Sequence, residues 1–292
     1  MRLVGLKAAA IEIRQAIDQC RSQGLPSPFF FMVGAGISHP PLPLAAEIQA
    51  RCKEKAHEYG KDAPPPSSAP IDAYSYWFEQ AYPHPEHRQR FLRGLMEKSP
   101  ISPANFRLAY LLLESTVANL VVTTNFDDFL SRALTLFGRR HIVCDHPQTL
   151  ERIDLRSEDV QILQIHGSYW FYDCCNLRGE ISDRARSSPS TSFTTPSMLD
   201  AILQAHSPLV VGYSGWEGDV FMTALQRRLA AALRTNLYWF CYRRRDADAL
   251  PAWLRASPNV CAVVPEERAP AGAVGKPLPA PEEAASYASS AV

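Results

Sequence analysis

An apolar run that ends in a glycine turn constrains this chain more than any other feature. Residues 29–33 read Phe-Phe-Phe-Met-Val and run directly into Gly34-Ala35-Gly36-Ile37-Ser38. The run is too short for a lone helix and is closed by glycines and a serine, which favours a buried strand. A strand that breaks at Gly-x-Gly and reopens as a helix brings backbone N–H groups close to a pyrophosphate. The third glycine of a dinucleotide fingerprint is missing, so this motif alone is a weak signal.

Length, charge and cysteine usage narrow the class of protein. A chain of 292 residues is long enough for one large domain or two small ones with a sizeable core. Its 30 basic and 30 acidic residues cancel, which gives no case for a nucleic-acid or acidic-membrane partner. No apolar run reaches membrane-spanning length, and the N-terminus lacks a signal-peptide core. The seven cysteines follow no framework spacing, so we expect reduced thiols in a cytoplasmic protein.

Apolar strand patterns alternate with helical patterns along most of the chain. Strands are predicted at 28–33, 119–123, 142–144, 161–165, 208–212, 236–241 and, from a weaker pattern, 259–264. Helices are predicted at 5–23, 44–57, 126–137, 196–206, 217–233 and 246–255. This alternation predicts an α/β, Rossmann-like fold with a mostly parallel sheet and helices on both faces.

Two segments depart from the alternation. A Pro/Ser-rich break at 63–70 is followed by residues 71–114, which are rich in aromatics and Arg and suggest three helices without any strand. We interpret this part, about 59–116, as a helical insertion in a domain that spans 1–264. Residues 265–292 are rich in Pro, Ala and Glu, which predicts a linker or disordered tail.

Four of the predicted strands end in unusual polar residues. Because ligands of open α/β sheets bind at the carboxyl ends of the strands, and parallel strands end at one edge, these residues are expected to meet there. They are Gly34 to Ser38, then Thr123-Thr124-Asn125-Phe126-Asp127, then His166-Gly167-Ser168, and last Gly212-Tyr213-Ser214-Gly215 followed by Trp216-Glu217-Gly218-Asp219.

Each of these motifs also has a purely structural explanation. The Gly-Ala-Gly turn can simply close a strand–helix corner, and Asn125 or Thr124 can cap a helix. A histidine at a strand end, such as His166, is often structural. The last turn can be an ordinary one, and Asp127 and Asp219 can be carboxylates that interact with helix dipoles. These explanations are independent of one another, whereas one nucleotide site accounts for all four motifs.

The order of the four motifs resembles the sirtuin family of NAD-consuming enzymes over roughly residues 25–245. The resemblance implies that the glycine loop lines the pyrophosphate and ribose, and that Asp127 with Asn125 holds the nicotinamide-side ribose. It implies Asn125 and His166 as the catalytic residues, His166 being the base near that ribose. Gly212 and Ser214 would contact the adenosine half. The implied NAD-binding residues are Gly34, Ala35, Gly36, Ser38, Thr124, Asp127, Gly212 and Ser214.

The chain departs from the deacylating sirtuins in two places. Those enzymes continue the first motif with a Gly-Ile-Pro-Asp-Phe-Arg-like segment, whereas residues 39–43 here read His-Pro-Pro-Leu-Pro. They also carry two Cys-x-x-Cys pairs for structural zinc, whereas this region holds only the adjacent Cys174 and Cys175. Four thiolates in tetrahedral geometry cannot be assembled from these, so no metal is expected. The loss of the zinc module puts an acyl-lysine groove in doubt.

What remains resembles the divergent sirtuin-like domains of bacterial antiphage systems, including those paired with short Argonautes. The resemblance implies an NAD glycohydrolase that uses NAD as a substrate and releases nicotinamide and ADP-ribose. In that reaction Asn125 could position a water, His166 could accept a proton, and Asp127 could orient the ribose hydroxyls or the Asn125 loop. Two other classes compete: an NAD-dependent protein deacylase, and a nucleotide-sensing module without catalysis.

We expect an NAD-consuming defence enzyme of this kind to be controlled by an activating protein partner or by self-assembly into a homo-oligomer, without direct nucleic-acid contact. The helical insertion is the first candidate surface, with Tyr74, Tyr76, Trp77 and Arg90 as residues to test, although core packing is the alternative for each. The aromatic run Tyr169 to Tyr172 is interpreted as packing because the adjoining strand is apolar.

Overall fold

A computed structural model of the chain describes residues 1–67, 69–114, 117–170, 177–180, 182, 194–231 and 233–265. Within these residues eight strands form one sheet in the order β1-β8-β7-β6-β2-β3-β5-β4, and every pair of neighbours is parallel. The predicted Rossmann-like α/β fold is therefore confirmed. The strands are β1 (Arg2–Gly5), β2 (Phe29–Val33), β3 (Leu120–Thr123), β4 (His141–Cys144), β5 (Val160–Gln164), β6 (Ser207–Val211), β7 (Leu237–Phe240) and β8 (Val260–Val264).

Helices connect these strands and cover both faces of the sheet. Their bounds are α1 (Leu6–Ser22), α2 (Ala45–Glu58), α3 (Pro70–Ala81), α4 (Pro85–Met96), α5 (Pro103–Leu112), α6 (Phe129–Leu136), α7 (Thr195–Ala205), α8 (Val220–Ala230), α9 (Arg244–Asp248) and α10 (Ala252–Ala256). Short 3-10 turns occupy Ala35–Ile37 and Pro147–Arg152. No helix of the described residues is both long and apolar enough to cross a membrane.

Strand β2 shows how the core is divided between the two faces. Phe29, Phe31 and Val33 belong to an apolar cluster with residues of α1, α5 and α6. Phe30 and Met32 belong to a second cluster, with residues of α7, α8 and α10. All five residues of β2 are buried because both faces of the sheet are covered, which is why this strand is apolar throughout.

The order of the strands creates a crevice in the middle of the sheet. β2 pairs with β3 on one side and with β6 on the other. The chain first builds the half of the sheet with β3, β5 and β4, and then returns to place β6 beside β2. The connections after β2 and β6 therefore leave the sheet in opposite directions, and such a switch point is where open α/β sheets bind ligands.

The helices between β2 and β3 fall into two groups. Residues of α2, α3 and α4 share a third apolar cluster, which also includes Phe129, Tyr169 and Leu177, whereas α5 packs on the sheet with α6. Tyr74 and Trp77 are 5% and 4% exposed, so core packing, the alternative weighed for them, is what the structure shows. Arg90 is exposed and Tyr76 is half-buried. The division into one domain with an insertion stays a prediction.

Three differences from the predicted elements have local causes. β1 was not predicted; among the described residues it is a four-residue edge strand paired with β8. The helix predicted at 217–233 begins at Val220 because Asp219 accepts the N–H of Phe221 and caps it. The helix predicted at 246–255 is two short ones, separated at Pro251, which disfavours helical backbone in the residue before it. All but the first residue of the predicted tail lies outside the described residues.

Candidate functional site

The four polar motifs follow four consecutive strands of the sheet. The order β6-β2-β3-β5 places the ends of these strands side by side. Val33 is the register partner of both Thr123 and Val211, and Thr123 is the partner of Gln164. The residues that come next along each strand therefore leave the sheet at the same level. The expectation that the motifs meet at one edge is confirmed by the register.

The glycine turns after β2 and β6 pack directly against each other. The N–H of Gly34 donates to the carbonyl of Val211 at 3.1 Å, and that of Gly36 donates to the carbonyl of Gly212 at 2.8 Å. A Cβ on Gly34 would lie 2.7 Å from the Gly212 carbonyl oxygen. Ala35, Gly36, Gly212 and Ser214 remain exposed, so these turns form an open rim above the crevice.

Ser38 is the centre of a buried hydrogen-bond network. Its hydroxyl donates to Asp127 Oδ2 at 2.8 Å and accepts from the side-chain amides of Asn105 and Asn125, each at 3.2 Å. Ser38 is 1% exposed. The Asn105 amide also donates to the carbonyl of Ile37 at 3.2 Å. These bonds fix the glycine turn to β3 and to helix α5.

Asn125 is held by its amide nitrogen and has a free oxygen. Its Nδ2 donates to the Gly34 carbonyl and to Ser38 Oγ, each at 3.2 Å, and both of those interactions require a donor. Its backbone is fixed by Thr123 Oγ1 at 3.0 Å and by the Gln164 amide, which donates to the Asn125 carbonyl at 3.1 Å. Asn125 Oδ1 is buried and finds no hydrogen-bond partner among the described residues. A buried acceptor without a partner costs free energy, which marks this atom for a functional role.

Both carboxylate oxygens of Asp127 accept hydrogen bonds in this network. Its Oδ1 accepts the N–H of Phe129 at 3.1 Å, at the start of α6, while Oδ2 accepts from Ser38. Burial raises the pKa of this carboxyl to about 6, and the bonds from Ser38 and Phe129 lower it in part. The start of helix α6 therefore explains the hydrogen bond of Oδ1, and the glycine turn, through Ser38, explains that of Oδ2.

His166 and Asp219 form a buried pair above the sheet edge. His166 Nε2 lies 3.1 Å from Asp219 Oδ2, and the two residues are 5% and 3% exposed. The angles of this contact do not meet hydrogen-bond geometry. The ring of Phe126 lies 6.4 Å from that of His166, centroid to centroid. Asp219 also accepts the N–H of Phe221 at 2.8 Å, so the helix-start explanation weighed for this residue is correct for its Oδ1.

A cavity of about 250 Å³ opens beside β3 and β5. Asn125, Asp127 and Gln164 line it, together with the acidic residues Asp128 and Asp145. A second cavity of about 510 Å³ lies at the opposite, amino end of the sheet, and none of the four motifs contributes to it. Of the predicted site residues, Asn125 and Asp127 line the smaller cavity, whereas His166, Ser38 and the glycines of the turns after β2 and β6 are not part of its lining.

Several residues of this site were not found from the sequence. Asn105 lies within a helix and Gln164 at the end of an apolar strand, where single polar residues carry little signal. Ser102, whose hydroxyl donates to the Ile37 carbonyl and accepts the N–H of Asn105, does have a motif, since Ser-Pro at a helix start is typical of a cap. Asp145, whose Oδ2 accepts from the hydroxyl of Ser168 at 3.1 Å, follows a short strand that had no recognised motif.

The remaining predicted residues lie at the same edge with different surroundings. Thr124 is half-buried and its N–H donates to the Val33 carbonyl at 3.3 Å. Tyr169 is 2% exposed, as the packing interpretation requires, but Trp170 is 46% exposed. Phe171, Tyr172 and the adjacent cysteines lie outside the described residues.

Residues 119–261 match the SIR2-like domain family. The match covers just under half of the chain, from the start of β3 into β8. SIR2-like domains bind NAD, so the match supports a sirtuin-like family and an NAD-related activity. Asn125, Asp127, His166 and Ser214 lie within the matched region, whereas the turn of residues 34–38 lies before it. No curated protein matches the chain.

The potential metal ligands among the described residues do not form a metal site. No group of three or more His, Cys, Asp or Glu side chains in this part of the chain is arranged to hold a metal ion. The five cysteines that the structure describes have free thiols. Because Cys174 and Cys175 are not among them, the absence of a metal stays a prediction.

Proposed function

We propose that this chain is an NAD glycohydrolase that cleaves NAD to nicotinamide and ADP-ribose. The observation that carries the proposal is the buried, unpartnered Oδ1 of Asn125. The SIR2-like match supports NAD as the ligand. The crevice between β2 and β6, with its rim of exposed glycines, is where an open α/β sheet receives a dinucleotide.

The chemistry follows from the charge that develops during the reaction. The bond between the anomeric carbon of the ribose and the nicotinamide nitrogen breaks, its electron pair stays on nicotinamide, and a water oxygen bonds to the carbon. The ribose passes through an oxocarbenium-like state, as in glycoside hydrolysis. Asn125 Oδ1 can accept a hydrogen bond from the attacking water, because its amide nitrogen already has two acceptors.

His166 supplies the base of the proposed reaction. A neutral imidazole can accept the proton that the water loses, and the carboxylate 3.1 Å away stabilises the positive charge that the ring then carries. Both groups are buried, so their charges are screened less than they would be at the surface. The proton passes to solvent after the products leave.

We also propose a role in antiphage defence, which rests on the resemblance of the motifs to those of antiphage sirtuin-like domains. An enzyme that destroys NAD must be restrained until infection, so we propose that an activating protein partner or self-assembly controls it in the cytoplasm. The deacylase alternative needs a peptide groove beside a zinc module, and no observation favours it. Product analysis separates the two, since free ADP-ribose marks hydrolysis and O-acetyl-ADP-ribose marks deacetylation.

The test compares NAD turnover by Asn125→Ala and His166→Ala with that of wild type under activating conditions, with candidate partners added, and measures nicotinamide and ADP-ribose by chromatography. Each substitution is expected to lower turnover by about 10²–10⁴-fold while the fold is kept. Asn119→Ala is the matched control: its amide bonds the Ser157 carbonyl at the opposite end of the same part of the sheet. Wild-type turnover by folded Asn125→Ala and His166→Ala would contradict the assignment, as would failure of the wild-type protein to bind NAD in calorimetry.

A further inference from the structure

The contact between Asp219 and His166 joins the two outer strand ends of the candidate site. His166 follows β5 and Asp219 follows β6, and β3 and β2 lie between these strands in the sheet. The loop of residues 212–219 must therefore reach back over the strand ends to bring its last residue to the histidine. Both side chains are buried, at 6% and 2% exposure.

Capping of α8 does not explain this contact. A cap needs one acceptor, and Asp219 Oδ1 supplies it to the N–H of Phe221 at 2.8 Å. Serine or threonine would serve equally and would not bury a charge, which is costly without compensation. Oδ2 is the oxygen that lies 3.1 Å from His166 Nε2. The second oxygen of Asp219 thus has a partner that the helix does not require.

Tyr213 adds a third polar group to the pair. Its hydroxyl is buried and makes no aligned hydrogen bond to a described residue. Burial, and next the charge of Asp219, raise the pKa of this phenol well above its ordinary value, so it remains a neutral O–H group. Asp219 is the titratable group that the described contacts place beside His166, Tyr213 lies on the Asp219 side of the pair, and Phe126 adds an aromatic ring beside the imidazole.

We propose that Asp219 is a positioning residue that sets the tautomer of His166. A carboxylate oxygen 3.1 Å from Nε2 favours a proton on that nitrogen through its charge, without an aligned hydrogen bond, and so leaves Nδ1 as the proton-accepting nitrogen. The proposal deepens the proposed function and rests on it for its catalytic consequence. The tautomer of His166 itself depends only on the geometry of the pair and not on the proposed function.

Asp219→Asn separates this role from capping. Asparagine caps helices as well as aspartate does, so α8 and the melting temperature should be preserved. With Oδ1 still bonded to Phe221, the new amide NH₂ faces Nε2 as a donor and shifts the ring proton to Nδ1. We expect ¹⁵N NMR of histidine-labelled full-length protein, assigned with His166→Gln, to show this change of tautomer. Turnover should fall by about 10²–10⁴-fold through kcat with KM retained, because the base is lost.

Asp154→Asn is the matched control, because Asp154 accepts the N–H of Arg156 in a loop before β5, at the other end of the sheet. It should leave both the His166 signals and turnover unchanged. An unchanged tautomer in folded Asp219→Asn overturns the positioning role, whereas a changed tautomer with wild-type kcat overturns its catalytic consequence. If the wild-type chain hydrolyses no NAD even with candidate partners present, a tautomer that shifts in the variant still supports the positioning of the ring and rejects only the proposed function.

Discussion

Gly36 and Gly212 lie so close together that neither position has room for a side chain. A Cβ on Gly36 would lie 2.8 Å from the Cα of Gly212, and a Cβ on Gly212 would lie 2.7 Å from the nitrogen of Ile37. Real Cβ atoms essentially never approach backbone this closely. The turns after β2 and β6 therefore form one unit at the switch point of the sheet, and their contact alone requires glycine, with or without a ligand.

We predict that Gly212→Ala strongly destabilises the fold. Gly212 has a φ of +65°, which costs a residue with a Cβ about 1–2 kcal/mol, and the contact with Ile37 adds an overpacking cost of about 1–3 kcal/mol. Urea unfolding followed by circular dichroism should show a loss of roughly 2–5 kcal/mol. Gly138→Ala is the control, because Gly138 has a φ of +70° and nothing within 4 Å of its Cβ position. Equal losses in the two variants would show that the packed turns do not exist.

The buried aromatics of the helical cluster give a second prediction. Trp77 is 4% exposed within the core shared by α2, α3 and α4, so Trp77→Ala should cost about 3–5 kcal/mol of stability. Tyr110 on α5 is 68% exposed, and Tyr110→Ala should change stability by less than about 0.5 kcal/mol. Chemical denaturation of both variants tests this. If Trp77→Ala were as stable as Tyr110→Ala, Trp77 would not be a core residue and would again be a candidate for the partner-binding surface.

Most of the sheet could be predicted because its strands are buried on both faces. β2 and β3 are apolar at nearly every position, and this signal does not depend on what packs against them. β1 was missed for the opposite reason: half of its four residues are exposed, and Arg2 and Leu3 give no alternation of polarity. The packing of helix α5 on the sheet could not be predicted, because its own sequence does not tell which apolar surface will cover it.

The candidate site was predictable where a residue type is rare at its position. An asparagine and a histidine directly after apolar strands drew attention to Asn125 and His166. Their side-chain contacts, Ser38 for Asn125 and Asp219 for His166, come from elements distant in sequence, and only the tertiary structure brings them together. The hydrogen bond from Ser38 to Asp127 spans 89 positions in the chain, a distance that no local pattern encodes.

Metal independence is a third prediction. A structural zinc site needs four ligands, and the region where sirtuin deacylases carry two cysteine pairs contains only Cys174 and Cys175. Incubation with EDTA should therefore leave the melting temperature within about 1 °C of the untreated protein, whereas removal of a structural zinc unfolds small metal sites. Elemental analysis is the companion measurement. Stoichiometric zinc in the purified chain would contradict the prediction and revive the deacylase alternative.

The last prediction concerns the pH dependence of stability and the carboxyl group of Asp127. Its pKa is raised by burial from 3.8 to about 6 in the folded protein. Between these two values the folded state binds more protons than the unfolded state, so the contribution of Asp127 to stability falls as the pH rises. The fall is complete above about pH 6 and amounts to at most about 3 kcal/mol.

Asp127→Asn removes this titration, so the free energy of unfolding of the variant relative to wild type should rise between pH 4 and pH 8. Asp72→Asn is the control. A hydrogen bond from Arg178 lowers the pKa of Asp72 from 3.8, so its contribution to stability is present above about pH 4 and is lost only at lower pH. The difference in stability between Asp72→Asn and wild type should therefore stay nearly constant between pH 4 and pH 8. Parallel unfolding curves for Asp127→Asn and wild type at pH 4, 6 and 8 would mean that this carboxyl is not buried in the network around Ser38.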